Sequence, residues 1–191
     1  EVLEKLAKDK FSLDLVLIIF PELRNIKIFS KLNSVNKDLL KDKDFIFLLS
    51  LLIIDGTDNS DYFLYKFNIS KKDEKRIKNI DNFYKGKINS KTFTKNNMDK
   101  FFYYYGRKTT LDVINHRMIK SKNEGNLLKE LSKHYENADA PIMPVSADLL
   151  MKKYKISEGK RLGKKLKIIE EEWVKNNFKI SDLQVDNIIN N

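Results

Sequence analysis

The stretch Gly159-Lys160-Arg161-Leu162-Gly163-Lys164-Lys165-Leu166-Lys167-Ile168-Ile169-Glu170-Glu171-Glu172-Trp173 is the clearest guide to the fold of this chain, because its apolar residues recur with the period of an α-helix. The residues at i, i+4, i+7 and i+11 form one narrow apolar stripe: Leu162, Leu166, Ile169 and Trp173. Lys160, Lys164 and Lys167 project to the opposite side, while Arg161 and Lys165 flank the stripe. We therefore predict a helix over about 160–176 with a buried stripe and a basic face.

Helical spacing recurs along most of the chain. Apolar residues from Leu13 to Phe20 repeat up to Pro21, a second helix is predicted from Leu23 to Phe29, and Asp44 is expected to cap an apolar helix over 45–54. Further helices are predicted over 62–67, 71–84, 97–105, 109–120, 126–137, 147–154 and from 181 onward. With 6 Gly and 3 Pro in 191 residues, the composition suits closely connected helices. The sequence thus predicts an all-α fold.

One segment interrupts the helical pattern. Residues 138–144 hold two of the three prolines, Pro141 and Pro144, which favours a linker. We therefore predict an irregular helical body over 1–137 and a smaller helical tail over 145–191. Because residue 1 is Glu and not Met, we also expect a further segment upstream.

The formal net charge of +10 favours a polyanionic partner, because contacts of Lys and Arg with phosphates dominate nucleic-acid affinity. An AT-rich coding sequence is the alternative explanation, since only five of the 37 basic residues are Arg. The chain has no Cys, which suits a reducing compartment. Its longest apolar run, 45–54, is far short of the roughly 18 residues of a membrane span. We expect a soluble, cytoplasmic protein.

No complete active site can be assembled from the sequence. Asp42-Lys43-Asp44 is the one pair of aspartates with the spacing of a strand-borne Mg²⁺ site, and helix capping explains it better. Asp55, Asp58 and Asp61 lack the ligand order of a calcium loop, and His116 and His134 have no matched ligands around them. We predict no catalytic residue, no metal site and no cofactor in this chain.

The order of charges along the helix over 160–176 is unusual. A helix favours anions at its N-terminus and cations at its C-terminus, yet here the first turns hold the cations and Glu170 to Glu172 follow. A bound phosphate would remove this penalty. Gly159 leaves room for a sugar-phosphate backbone, and Gly163 allows close approach of either RNA or another helix. The alternative is a solvated lysine face with glycines for packing.

The residues around this helix resemble a known family. Val145-Ser146-Ala147-Asp148-Leu149-Leu150, followed by Lys155-Ile156-Ser157-Glu158-Gly159-Lys160-Arg161-Leu162-Gly163-Lys164-Lys165-Leu166, resembles the tail of bacterial CCA-adding enzymes, which are tRNA nucleotidyltransferases, and of the related poly(A) polymerases. Many members have Pro-Gly-Pro where this chain has Glu158-Gly159-Lys160. Residues 65–77 and 97–120 resemble the body of the same family more weakly.

This resemblance implies a function in RNA binding without catalysis. Class II members have a head that holds Mg²⁺ and nucleotide, a helical neck, and a helical body and tail that grip the tRNA elbow. The Gly-Ser loop and Asp-x-Asp element of the head and the Glu-Asp-x-x-Arg element of the neck are not found here. The resemblance therefore implies body and tail, with Mg²⁺ and CTP or ATP expected only with a head supplied upstream or by a separate polypeptide.

Fifteen residues are predicted to contact tRNA or another structured RNA. They are Lys71, Lys72, Lys75, Arg76, Arg107, Lys108, Arg117, Lys153, Gly159, Lys160, Arg161, Gly163, Lys164, Lys165 and Lys167. The aromatic run 101–105 suits either core packing or a platform for base stacking. Two alternatives stay open, a helical protein-interaction module and a basic amphipathic protein at a membrane surface, although we expect no membrane partner.

Overall fold

A computed structural model describes residues 2–86, 88, 91–121 and 125–190, and within these ranges all regular structure is helical. The helices of the body are α1 (Val2–Lys8), α2 (Lys10–Ile19), a 3-10 helix (Ile26–Lys31), α3 (Ser34–Lys41), α4 (Phe45–Ile53), α5 (Asn59–Lys66), α6 (Lys71–Lys85), α7 (Lys95–Lys120) and α8 (Gly125–Asn137). Three helices follow at the C-terminal end: α9 (Ala147–Tyr154), α10 (Lys160–Lys175) and α11 (Asp182–Asn190). The predicted all-α fold is confirmed.

Short polar side chains fix several helix starts. The Asp44 carboxylate accepts a hydrogen bond from the Phe47 backbone N–H at 2.9 Å, and Ser70 and Ser146 cap α6 and α9 in the same way. Ser181 and Gln184 bond each other's backbone N–H groups at the start of α11, a reciprocal capping box. The cap at Asp44 lies where the sequence predicted it.

Gly106 divides α7 into two segments. Its φ of 75° and ψ of 174° lie outside the helical region, in backbone conformations that side chains disfavour. The sequence predicted two helices separated at this residue, and the structure joins them across a kink. The first segment carries the aromatic run and the second carries the core residues Val113 and Ile114.

Two hydrophobic clusters lie on either side of the predicted linker. The first is built from residues between 3 and 138, with Phe47, Ile77 and Ile114 fully buried within it. The second is built from residues between 143 and 189 and includes Leu150 and Ile169. Residues 138–146 between α8 and α9 are not helical.

Contacts between α7 and α10 join the two clusters. The buried Trp173 ring on α10 packs edge-on against two other rings. Its centre lies 5.3 Å from that of Tyr103 on α7 and 5.0 Å from that of Phe178. The Lys100 ammonium donates to the Lys175 carbonyl oxygen at 3.0 Å. The first segment of α7 is therefore the part of the body on which α10 rests.

Three parts of the secondary structure differ from expectation. The segment predicted as a helix from Leu23 is a 3-10 helix over Ile26–Lys31, and neither α1 nor α3 was predicted. Both missed helices are short, with 7 and 8 residues, so each shows barely two turns of periodicity. Among the described helices, none combines the length and the apolar character needed to cross a membrane.

Candidate nucleic-acid interface

The basic side of α10 faces solvent as predicted. Leu162, Ile169 and Trp173 are buried and Leu166 is half-buried, so the apolar stripe is turned inward. Lys160, Arg161 and Lys164 are exposed, and none of them forms an ion pair with a described carboxylate. Three cations within two turns thus remain available to an external anion.

The start of α10 leaves backbone N–H groups without side-chain caps. Gly159 occupies the N-cap position with φ 142° and ψ −166°, and no side chain there accepts a hydrogen bond. The Gly163 N–H is the first in the helix to bond back, to the Gly159 carbonyl at 3.1 Å. The preceding N–H groups of the first turn therefore point out of the helix beside Lys160 and Arg161, the geometry in which helix N-termini bind phosphates.

Both tail glycines border open space. A β-carbon at Gly159 or at Gly163 would meet no atom within 4 Å, and both residues are exposed. Neither glycine therefore packs against another described helix, and both positions are open to an external ligand.

Other predicted cations of the tail have partners within the tail. The Lys165 ammonium donates to the Ile188 carbonyl at 2.7 Å and ties α10 to α11. Lys153 lies 3.5 Å from the Asp186 carboxylate and over the Tyr154 ring. Lys167 is 3.9 Å from Glu171, a weak contact between two exposed side chains. Lys165 is consequently a structural residue, whereas Lys153 and Lys167 are still reachable from solvent.

The next predicted RNA-binding residues lie on α6. Lys72 and Lys75 are exposed, and Lys71 is almost fully exposed beside Glu74 at 3.3 Å. These three lysines belong to a helix that packs on α4, α5 and α7. Any RNA contact through them would be a second site of contact, separate from α10.

Arg76 is a structural residue of the body. Its side chain is only 11% exposed, and its guanidinium donates to both oxygens of Asp112, at 2.6 and 2.9 Å, and to Asp44 at 2.7 Å. Burial opposes the charge, but these carboxylates outweigh it and raise the pKa of Arg76. Because its nitrogens are directed at carboxylates inside the body, Arg76 does not present a free fork to phosphate.

Three further predicted cations on α7 also have partners. The Arg107 guanidinium donates to the Ala138 carbonyl at 2.9 Å, and Lys108 pairs with Asp44 at 2.9 Å. Arg117 lies over the Phe93 ring, 5.8 Å from its centre. Arg107 and Lys108 are exposed, so their contacts leave part of each side chain open to solvent.

The start of α10 includes residues that were not predicted. A cavity of about 500 Å³ opens there, and Lys155 and Ser157 line it together with Lys160 and Arg161. Lys155 ends α9 in the left-handed conformation with φ 56°. Glu158 also lines the cavity and opposes an anion. The proximity of the 155–158 loop to the helix start was the signal in the sequence that could have identified Lys155.

The aromatic run 101–105 is split between packing and exposure. Phe102 is buried against Tyr135, and Tyr103 packs on Trp173. Tyr104 and Tyr105 are 54% and 44% exposed, and Tyr105 stacks on Phe101 with ring centres 4.4 Å apart. Core packing therefore explains the first three residues, and only the last two are accessible to a base.

The carboxylates considered for metal binding have other partners. Asp44 caps α4 and pairs with Arg76, and Asp55 bonds Thr57 and Arg24. Asp61 pairs with Lys85. No group of three or more potential metal ligands occurs within the described ranges. His116 is fully buried in the body, while His134 is exposed.

Comparisons of the chain with models of protein families, with curated proteins and with solved structures found no match. The resemblance to tRNA nucleotidyltransferases therefore stays a prediction from the sequence.

Proposed function

We propose that this chain binds structured RNA, and tRNA in particular, through the exposed basic side of α10. In this proposal it is the RNA-holding part of a tRNA nucleotidyltransferase or poly(A) polymerase-like enzyme, and a head domain performs the chemistry. One observation supports RNA binding most directly. The uncapped start of α10 lies beside Lys160, Arg161 and Lys164, and these three cations have no carboxylate partners in the described chain.

The charge order of α10 supports an anionic ligand. No acidic residue lies in its first turn, so each cation there opposes the helix dipole by roughly 0.3 to 1 kcal/mol. A phosphate at the helix start would be attracted by the dipole, by free backbone N–H groups and by the cations together. The unliganded arrangement is unfavourable for the helix, and an RNA backbone relieves it.

Recognition through this surface is by shape and charge. The cations are borne by a helix, and phosphate contacts position RNA without reading its sequence. Affinity for tRNA should therefore fall steeply as salt rises, because each phosphate contact releases counterions. A binding titration of labelled tRNA at several salt concentrations measures this slope, and affinity that ignores salt contradicts the proposal.

A matched pair of variants on α10 locates the surface. Lys164→Glu reverses a charge near the helix start, and Lys175→Glu reverses an exposed charge at its other end. We expect Lys164→Glu to weaken tRNA binding about tenfold and to flatten the salt slope, whereas Lys175→Glu changes affinity less than about twofold. Equal effects of the two variants would remove α10 from the proposed interface.

One observation favours a second candidate function, that of a protein-interaction module. On α2 the residues Phe11, Leu15, Ile18 and Ile19 are between 48% and 79% exposed, and they share one face of the helix. A contiguous exposed apolar surface is typical of an interaction site. Sedimentation with anionic liposomes separates the alternatives for this face, because binding that depends on Phe11 would assign it to a membrane surface.

A further inference from the structure

A large cavity of the body lies between the 3-10 helix, the start of α3, the end of α7 and the start of α8. Its volume of about 920 Å³ lies within the range of about 300 to 1,000 Å³ that is usual for small-molecule sites. We refer to it as the body cavity. No predicted RNA-binding residue lines it.

The lining of the body cavity carries a surplus of positive charge. Lys27, Lys31, Lys120 and Lys129 line it, together with Arg24. Asp55 is the sole carboxylate among the described lining residues, and its partner is Arg24 at 3.2 Å. The described lining therefore holds five cations and one carboxylate, an arrangement that concentrates anions in a concave site.

Lys120 is held in place within this cavity. Its ammonium donates to the Ile54 carbonyl at 2.8 Å and is partly buried. Burial lowers its pKa to about 8, although the carboxylates of Asp55 and Asp81 act in the opposite direction. The Lys120 residue is nevertheless exposed in part, so an anion can reach it, and a cation already positioned by a backbone carbonyl loses little freedom when an anion binds beside it.

The remaining lining suits a flat heterocycle. Ile28, Val35 and Met118 offer apolar surface, and Asn33 and Asn36 bring side-chain amides to the same cavity. Asn33 uses its oxygen to cap α3, which leaves its NH₂ group as a donor. Apolar surface with a few polar groups and a cationic edge is the combination that a base and a phosphate require.

We propose that the body cavity binds a nucleoside phosphate, with the phosphate among the lysines and the base against the apolar surface. The nucleotide is either free in solution or part of an RNA strand. The site is independent of α10, so it stands or falls separately from the proposed tRNA surface.

Isothermal titration calorimetry of the 191-residue chain tests the proposal with four probes: AMP, adenosine, inorganic phosphate and a 5′-phosphorylated pentaadenylate. AMP should bind at least about tenfold more tightly than adenosine or phosphate, because each of these provides only one half of the contacts. Adenosine binding as tight as that of AMP would overturn the proposal, as would the absence of saturable binding by both AMP and pentaadenylate. AMP preferred over pentaadenylate identifies a free nucleotide, and the reverse preference identifies an RNA strand.

Variants on a single helix locate the site. Lys129→Glu should weaken binding of the preferred probe about tenfold, whereas Lys133→Glu, at an exposed position one turn further along α8 that does not line the cavity, should change it less than about twofold. Equal losses from the two variants would contradict the assignment. Lys164→Glu on α10 should leave AMP binding unchanged, so failure of the tRNA surface and failure of this site are distinguishable.

Carbon-detected NMR of the lysine side chains provides an independent readout. The pKa of Lys120 should rise above its value of about 8 when AMP binds, since a nearby anion favours the protonated ammonium. A pKa of Lys120 that is the same with and without saturating AMP would place the nucleotide elsewhere.

Discussion

The Tyr103 hydroxyl on α7 donates a hydrogen bond of 2.6 Å to the Glu170 carboxylate on α10, across the junction between the two hydrophobic clusters. Burial, aided by this carboxylate, raises the pKa of Tyr103 to about 12. The phenol therefore stays protonated, and able to donate, through the whole physiological range.

Tyr103→Phe tests this junction, because it removes the hydroxyl and leaves the ring on Trp173. We expect a loss of about 1.5 to 3 kcal/mol in the free energy that holds α10 on α7, the range for hydrogen bonds to charged groups. Trp173 is the one tryptophan of the chain and is buried at this junction, so its fluorescence should shift to longer wavelength at lower denaturant than in the parent chain. Tyr104→Phe, at an exposed ring on the same helix, is the control and should leave the transition in place.

Replacement of Arg76 separates its structural role from RNA binding. Arg76→Met leaves the buried Asp112 carboxylate without its partner, and we expect a loss of about 3 to 5 kcal/mol in the free energy of unfolding. Lys75→Met, at the exposed neighbouring position, should cost little. If chemical denaturation gives similar stabilities for the two variants, the ion pair does not have the role described.

His116 should make the stability of the body depend on pH. Its ring is fully buried, and burial, with the nearby Lys120 ammonium, lowers its pKa to about 3 from the ordinary value of 6.5. Between these values the unfolded chain binds the additional proton, so the free energy of unfolding falls as the pH falls from about 6.5, by up to about 1.4 kcal/mol per pH unit. At lower pH, carboxylates whose pKa is lowered in the folded chain add to this slope. A variant without His116 therefore isolates the contribution of the histidine.

His116→Gln should flatten the dependence of stability on pH between about pH 6 and pH 4, whereas His134→Gln, at an exposed position, should keep it. Urea denaturation at several pH values measures both slopes. A steep slope retained by His116→Gln would assign the effect to other groups.

Gly163 offers a test in which stability and binding change in opposite directions. Gly163→Ala should stabilise α10 by about 0.5 to 1 kcal/mol, because alanine favours the helix and its β-carbon meets nothing within 4 Å. If RNA approaches this point closely, the same β-carbon lowers tRNA affinity. Thermal unfolding and tRNA titration on the same variant give the two values, and an unchanged affinity would show that the backbone of RNA does not reach Gly163.

The helices that could be predicted from the sequence are those whose signals are local. The cap at Asp44, the break at Gly106 and the stripe on α10 each depend on residues within a few positions of one another. The 3-10 helix over Ile26–Lys31 was predicted only as helical, because 3-10 and α-helical repeats are hard to tell apart over six residues.

The roles of the basic residues were harder to predict, because they depend on partners that are distant in the sequence. Arg76 lies among exposed lysines on α6, and its partner Asp112 is 36 positions away, so only the folded chain shows that its charge is satisfied. The sequence did not identify Lys120 as a candidate binding residue, because the cavity that it lines is formed by segments distant in sequence. Exposed cations without partners, such as Lys164, are the part of the candidate site that helical spacing alone identified.

The backbone of Gly106 has a consequence for how two surfaces are oriented. The α7 segment before it holds α10 through Tyr103, and the segment after it ends at Lys120 in the body cavity. A single residue with φ 75° thus sets the angle between the support of the tail and the wall of a cavity about four turns away. An alanine at this position would strain the left-handed backbone and tilt one surface against the other, without altering a side chain in either.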